Sequence, residues 1–213
     1  MKFKGAIFDL DGTLLDSMPF WENLGYEYLK GKGYNPPGNV NEILKTMSLA
    51  QSARYFRKEF SIQENEDEII KEVLALIETH YRTKITLKES VTPFLNSLYA
   101  KNIRMCIATA TDYSLAEAAL KRLRIDKFFD FILTCSEAEV GKDNPDFFLT
   151  ALKLLKTSKQ ETIVFEDALY AIKSAKAAGL HVAAVYDKSA DEEQEEIKSI
   201  ADIYLISFED WGL

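Results

Sequence analysis

Residues 8–17 read FDLDGTLLDS and continue a short apolar run, residues 4–8, that is typical of a buried strand. Asp9 and Asp11 therefore come where this strand ends, and alternation along an extended chain puts both carboxylates on the same side. Gly12 follows and permits the chain to turn sharply away. Two crowded carboxylates repel each other unless a cation joins them or one keeps its proton. The segment predicts either a reactive strand end or a solvated acidic turn.

The rest of the chain alternates between strand-like and helix-like patterns. Apolar spacing predicts helices over 113–124, 145–156 and 168–178. Strands that alternate with helices pair in parallel, which predicts an α/β fold, a doubly wound parallel sheet with helices on both faces. Buried strands are predicted at 4–8, 105–108, 131–133, 163–165 and 182–185, with a weaker sixth at 203–206.

One long block interrupts this alternation. Residues 17–85 contain several apolar stripes with helical spacing and no strand-like run. An all-helical block placed after the first strand is best interpreted as an inserted domain. We expect a catalytic core from residues 1–16 and 86–213, and a helical domain from residues 17–85.

Composition narrows the classes of partner. The 213 residues include 26 Lys and Arg against 34 Asp and Glu, a net charge of −8, which argues against nucleic acid and anionic membranes. No apolar run approaches the ~20 residues that span a bilayer, and the N-terminal segment is unlike a signal peptide. Cys106 and Cys135 lack metal-ligand spacing and are interpreted as buried thiols. We expect a cytoplasmic protein, and no protein partner is implied.

Polar residues follow three more of the predicted strands. Thr109 and Ala110 end the second strand, Lys142 lies in the loop after the third, and Glu166 and Asp167 end the fourth. Taken singly, the threonine is an ordinary strand residue, the lysine is a solvated loop residue and the aspartate caps a helix. Because the carboxyl ends of parallel strands meet at one edge of a sheet, four such coincidences favour a single site.

These pieces together resemble the haloacid dehalogenase superfamily of phosphohydrolases, in the branch related to β-phosphoglucomutase and phosphoglycolate phosphatase. The resemblance is carried by FDLDGTLLDS, by the Thr109 that follows IRMCIA, by Lys142 in GKDNPDFFLTAL and by VFEDALYAIKSAKAAG. The pieces occur in the family's order. The helical block matches the family's helical cap domain in position.

The resemblance implies a role for each residue. Asp9 is expected to be the nucleophile, and Asp11 to act as general acid and then general base. The expected cofactor is Mg²⁺, held by Asp9, the backbone carbonyl of Asp11 and Asp167, with Glu166 nearby. The groups expected to bind and neutralise the phosphoryl oxygens are Thr109, the Ala110 amide and Lys142.

The resemblance favours hydrolysis of a small phosphorylated metabolite. Asp11 argues against dehalogenation, which has no leaving oxygen to protonate. A sugar-phosphate mutase is the main alternative, although Thr46 and Leu49 stand where such enzymes carry a Gly and an Arg. Two weaker alternatives are a phosphonate hydrolase that uses Lys45 and a binding protein without activity. The candidate substrate-binding residues are Gly12, Thr13, Ala110, Trp21, Thr46, Met47 and Ser48.

Overall fold

A computed structural model of the chain describes residues 3–44, Met47 and 49–212. Internal contacts divide the chain into two units, Met1–Ser17 with Thr86–Leu213, and Met18–Ile85. The first is here called the α/β unit and the second the helical unit. None of the described helices is both long enough and apolar enough to cross a membrane.

The α/β unit is built on a six-stranded parallel sheet. Its strand order is β5-β4-β1-β6-β7-β8, so β1 lies at the centre, and a separate two-stranded antiparallel ribbon joins β2 to β3. Phe8 at the end of β1 is in register with Ile107 of β4 and Phe165 of β6. In chain order the strands are β1 (Gly5–Phe8), β2 (Leu15–Asp16), β3 (Thr86–Leu87), β4 (Arg104–Thr109), β5 (Ile132–Thr134), β6 (Thr162–Glu166), β7 (His181–Val185) and β8 (Ile203–Leu205).

Both faces of the sheet are covered. On one face Ile7 belongs to an apolar cluster to which three helices of the α/β unit, α8, α9 and α10, contribute. On the other face Phe8 packs against Phe94 and Phe165, and Phe94 stacks on Phe208. In chain order the helices are α1 (Met18–Gly31), α2 (Val40–Leu44), α3 (Leu49–Phe60), α4 (Glu66–Thr83), α5 (Val91–Ala100), α6 (Tyr113–Arg122), α7 (Cys135–Ala138), α8 (Pro145–Leu155), α9 (Leu169–Ala177) and α10 (Gln194–Ile200).

The helical unit consists of α1 to α4. Its core is apolar and aromatic, and Tyr28 stacks on Phe56 at 5.5 Å between ring centroids. Asn65 and Glu68 form a capping box at the start of α4, which satisfies backbone N–H groups that a helix start leaves unpaired. The residues buried here include Leu29, Phe56, Ile69, Ile77 and Tyr81.

The predicted fold class, a doubly wound α/β sheet with a helical insertion, is confirmed. Each predicted strand of the sheet agrees with the observed one to within one residue at either end. The ribbon of β2 and β3 was not predicted, because two residues are too few to show alternation. It brings Leu15 opposite Leu87, at the two places where the chain passes between the units.

Candidate active site

Asp9 lies at the carboxyl end of the central strand β1. Its backbone N–H donates to the Phe165 carbonyl at 2.9 Å, which extends the pairing of β1 with β6 by one residue. The chain then turns, and the N–H groups of Leu14 and Leu15 both donate to the Leu10 carbonyl. Asp9 is buried although it is charged, so its carboxylate needs partners inside the protein.

Three buried carboxylates meet at this edge of the sheet. Carboxylate oxygens of Asp9, Glu166 and Asp167 lie within 4.8 Å of one another. Lys142 Nζ donates to Asp9 Oδ1 at 2.6 Å and forms a second, very close ion pair with Glu166. One ammonium group therefore faces three carboxylates.

The acidic residues at the end of β6 are held by hydrogen bonds. Glu166 Oε2 accepts from the N–H groups of Asp167 at 2.7 Å and Ala168 at 2.8 Å. Thr13 Oγ1 donates to Asp167 Oδ1 at 2.9 Å. Gly12 lies against the same carboxylate with a φ of +85°, and a Cβ at that position would collide with Asp167. A glycine is therefore required in this turn both for its backbone angle and for space.

The pKa values reflect the surplus of negative charge. Burial raises the pKa of Asp167 well above its usual range, and the charges of Glu166 and Asp9 raise it further. Burial also raises the pKa of Glu166, which Lys142 opposes. Burial alone would lower the pKa of Lys142, yet the charges of Asp9 and Glu166 raise it overall. A buried site with two more carboxylates than cations fits a divalent metal ion with oxygen ligands.

Asp11 faces a different set of partners. Ser17 Oγ donates to Asp11 Oδ1 at 2.6 Å, and Thr111 Oγ1 donates to Asp11 Oδ2 at 2.5 Å. The Asp11 carboxylate is not part of the three-carboxylate group. Two hydroxyls thus hold its side chain.

Thr109 and Lys142 are both buried and belong to two further segments of the α/β unit. Thr109 is the last residue of β4, and its Oγ1 accepts the Thr111 N–H at 3.0 Å. Ala110 follows it and is exposed. Lys142 lies in the loop between α7 and α8, where Asn144 caps α8.

Two candidate residues of the helical unit, Trp21 and Met47, lie among the described residues. Trp21 Nε1 donates to the Tyr81 hydroxyl at 3.1 Å. Met47 is half-buried and lies outside the helices. Thr46, Ser48 and the alternative candidate Lys45 lie outside the described residues.

Sequence reasoning assigned no role to Ser17 or Thr111, the two hydroxyl partners of Asp11. Ser17 stands in the recognised segment FDLDGTLLDS, and Thr111 directly follows Ala110, so both hydroxyls were available as a signal. It also missed Lys88 and Asp187, which form a buried ion pair next to the Gly12 turn. Neither stands in a recognised motif.

Known proteins resemble this chain in both sequence and structure. Hexitol phosphatase A of Escherichia coli is 32% identical and matches 87% of this chain and 84% of that protein. The phosphorylated carbohydrates phosphatase of Thermotoga maritima is 25% identical and matches 83% of this chain and 82% of that protein. The crystal structure of a Thermotoga maritima protein, provisionally assigned as a β-phosphoglucomutase, has a TM-score of 0.86 at 21% identity and covers 99% of this chain and 96% of that chain.

The last likeness establishes the fold alone, because its identity is low. A family model described as haloacid dehalogenase-like hydrolase matches residues 6–185, which include all the strand ends that form the site. The observed sheet and the relatives named above agree with that match. The chain belongs to the haloacid dehalogenase-like hydrolase family.

Proposed function

We propose that the chain is a Mg²⁺-dependent phosphatase that hydrolyses a small phosphate monoester through an aspartyl-phosphate on Asp9. The observation that carries the proposal is the buried group of Asp9, Lys142, Glu166 and Asp167 at the carboxyl edge of the sheet. The named relatives are phosphatases, which supports a phosphoric monoester hydrolase.

In the first step an oxygen of Asp9 attacks phosphorus while the bond to the leaving oxygen breaks. Lys142 holds Oδ1 of Asp9, which fixes the carboxylate relative to the sheet. Asp11 gives its proton to the leaving oxygen, so the alcohol departs neutral. The Ser17 and Thr111 hydroxyls support this role because they hold the Asp11 carboxylate in one orientation.

In the second step water attacks the phosphorus of the aspartyl-phosphate. Asp11, now ionised, takes a proton from that water, and the bond between phosphorus and Asp9 breaks. Inorganic phosphate leaves, and both aspartates return to their starting states. One residue thus serves as acid and then as base.

The residues that would hold Mg²⁺ are Asp9, Asp167 and the backbone carbonyl of Asp11. When bound, the ion would neutralise negative charge on the phosphoryl oxygens. Glu166 is better suited to an outer role, because Lys142 and two backbone N–H groups already engage its oxygens. We assign the Thr13 hydroxyl to orienting Asp167.

Thr109, the Ala110 amide and Lys142 are the proposed donors to the phosphoryl oxygens. Thr109 Oγ1 already accepts one hydrogen bond, from Thr111, so its own proton is available to donate. Lys142 lies beside the nucleophile and would offset charge on the group in transfer. Trp21 and Met47 remain predicted substrate contacts of the helical unit.

The proposed substrate is a small phosphorylated metabolite. Relatives named as phosphatases of hexitol phosphates and of fructose 1-phosphate support this class. A net charge of −8 disfavours nucleic acid as a partner. A cytoplasmic location is proposed because Cys106 and Cys135 are free thiols, which is usual in a reducing compartment. A sugar-phosphate mutase is the second candidate, and product identity separates the two.

The proposal is tested with a panel of phosphate monoesters in Mg²⁺ and in EDTA. We expect phosphate release that requires the metal and is lost in Asp9→Asn, because an amide is a poor nucleophile and a poor metal ligand. The matched control is Asp126→Asn, which changes an exposed aspartate in the connection before β5. Activity in EDTA, or an active Asp9→Asn protein, would contradict the proposal.

A further inference from the structure

Lys88 lies just after β3, and its side chain is largely buried. The ammonium group donates to three oxygens, the Gly12 carbonyl at 2.7 Å, the Tyr186 carbonyl at 2.5 Å and Asp187 Oδ2 at 2.9 Å. The backbone N–H of Lys88 also donates to the Leu14 carbonyl at 2.9 Å. An ammonium has three N–H donors, so every one is used.

Asp187, the partner of Lys88, is fixed in turn. It follows β7, and only 7% of its side chain is exposed, against 18% for Lys88. Asp187 Oδ1 accepts from the N–H of Ser189 at 2.9 Å and from its hydroxyl at 2.7 Å. Lys88 is therefore joined to a hydrogen-bonded turn after β7 that lies outside the family motifs.

A buried ion pair adds little net stability, because the loss of hydration offsets the attraction. The location of this pair is therefore more informative than its strength. Lys88 also contacts the Gly12 carbonyl, in the turn that packs against Asp167. The next residue of that turn, Thr13, donates its hydroxyl hydrogen bond to Asp167. Fixing the Gly12 carbonyl fixes the plane of the peptide that joins Gly12 to Thr13.

We infer that Lys88 is a positioning residue for the active site, which ties the Gly12 turn to Asp187 and so sets the placement of Thr13 against Asp167. The inference rests on the proposed function and adds residues that take no part in the chemistry. Its action is indirect, since Lys88 contacts none of the three carboxylates Asp9, Glu166 and Asp167 in the hydrogen bonds and ion pairs described. Misplacement by about 1 Å at an active site is enough to lower a rate ~100-fold.

The test compares Lys88→Met with Lys88→Arg in the full chain. We expect kcat for p-nitrophenyl phosphate to fall about 10- to 100-fold in Lys88→Met, with KM changed less than about threefold. Lys88→Arg keeps the charge and several donors, so we expect it to recover most of kcat. We also expect weaker Mg²⁺ binding to Lys88→Met by calorimetry, because Asp167 is less well placed.

The matched control is Lys4→Met, which breaks an exposed ion pair with Glu161 at the opposite edge of the sheet. It should leave kcat and Mg²⁺ binding unchanged. Near-UV circular dichroism establishes that each variant is folded. If Lys88→Met does not fold, Asp187→Asn is the second variant, since it removes the charge yet keeps an oxygen for Ser189.

A double-mutant cycle measures whether Lys88 and Asp187 are coupled in their effect on kcat. Two variants that each merely destabilise the protein would show no such coupling. If Lys88 and Asp187 act as one unit, Lys88→Met with Asp187→Asn should lose no more kcat than the worse single variant. If the decrease in kcat of the double variant equals the product of the two single decreases, the inference is contradicted. A folded Lys88→Met protein with kcat within about twofold of wild type would also contradict it.

Hydrogen exchange separates this inference from the proposed function. We expect faster exchange of the amides of residues 10–15 in Lys88→Met and unchanged exchange in Lys4→Met. An inactive wild-type protein would refute the proposed function. Hydrogen exchange would still test whether Lys88 holds the Gly12 turn. An active wild-type protein with unchanged exchange in folded Lys88→Met would refute the positioning role alone.

Discussion

Lys142 Nζ lies 2.6 Å from Oδ1 of Asp9, and both side chains are almost fully buried. The same ammonium group pairs with Glu166. Among the described residues, no other cation pairs with any of the three clustered carboxylates. Lys142 therefore contributes both to the charge balance of the folded protein and to the environment of the proposed nucleophile.

Replacing Lys142 by Met should lower kcat about 100- to 1,000-fold, because a charge that offsets the transferring phosphoryl group is lost. In EDTA the variant should also lose about 3–5 kcal/mol of unfolding free energy, because buried carboxylates are left without their partner. Enzyme assays and urea denaturation measure the two effects.

The matched control is Lys173→Met, which breaks an exposed ion pair with Glu196 on the surface. Its unfolding free energy should change by no more than about 1 kcal/mol. A Lys142→Met protein that is as active and as stable as this control would contradict the assignment.

Asp167→Asn should stabilise the metal-free protein while greatly weakening its stabilisation by Mg²⁺. Burial, then Glu166 and Asp9, raise the pKa of Asp167, so the folded protein holds this proton more tightly than the unfolded chain. Stability from this group is present at low pH and is lost as pH rises through the folded-state pKa. In EDTA, the unfolding free energy of the variant should therefore exceed that of wild type by an amount that grows as pH rises. The rise should begin at about pH 4, near the ordinary pKa of an aspartate, and continue towards neutrality.

Thermal unfolding at several pH values, with and without Mg²⁺, measures this difference. Wild type should gain stability from the ion by mass action, and Asp167→Asn should gain much less. Asp126→Asn should follow wild type throughout. An Asp167→Asn protein less stable than wild type in EDTA at pH 7 would count against the charge argument.

Asp11→Asn should slow phosphorylation most for substrates with poor leaving groups. Such groups need a proton as they depart, whereas p-nitrophenolate leaves without one. Single-turnover rates for a series of alkyl and aryl phosphates give the slope against leaving-group pKa, which should steepen in the variant. Equal losses across the series would refute the acid role.

Most of the fold followed from local patterns. Strand and helix periodicity, with parallel strands meeting at one edge, predicted that Asp9, Lys142 and Asp167 lie together, and the structure brings them together. Their chemical roles remain predictions. The short ribbon of β2 and β3 has too few residues for periodicity to reveal it.

The contacts that support the site were not predicted. Thr13 and Asp167 are 154 positions apart, and Lys88 and Asp187 are 99 apart. Neither hydrogen bond leaves a repeating pattern in the sequence, because each depends on where two loops meet after folding. From the sequence alone, Lys88 is expected to be a solvated lysine. The structure shows instead that it donates to the carbonyl of Gly12.

Incubation with β-glucose 1-phosphate should yield inorganic phosphate or no reaction. A mutase must hold a second phosphate while it excludes water. Arg54 in α3 has a guanidinium suited to that task, but it is paired with Glu66 at 3.0 Å. Phosphorus NMR identifies the products, with Asp9→Asn as the blank. Isomerised sugar phosphate that appears faster than free phosphate would make the chain a mutase.

The central claim is that a phosphoryl group passes through Asp9. Its most direct test is rapid quenching of enzyme, Mg²⁺ and substrate during turnover, followed by borohydride reduction and mass spectrometry of the peptide that contains residues 5–17. Borohydride converts an aspartyl-phosphate to homoserine. We predict homoserine at position 9 in the wild-type protein and none in Asp9→Asn. Phosphate release without modification of Asp9, or modification at another carboxylate, would contradict the account.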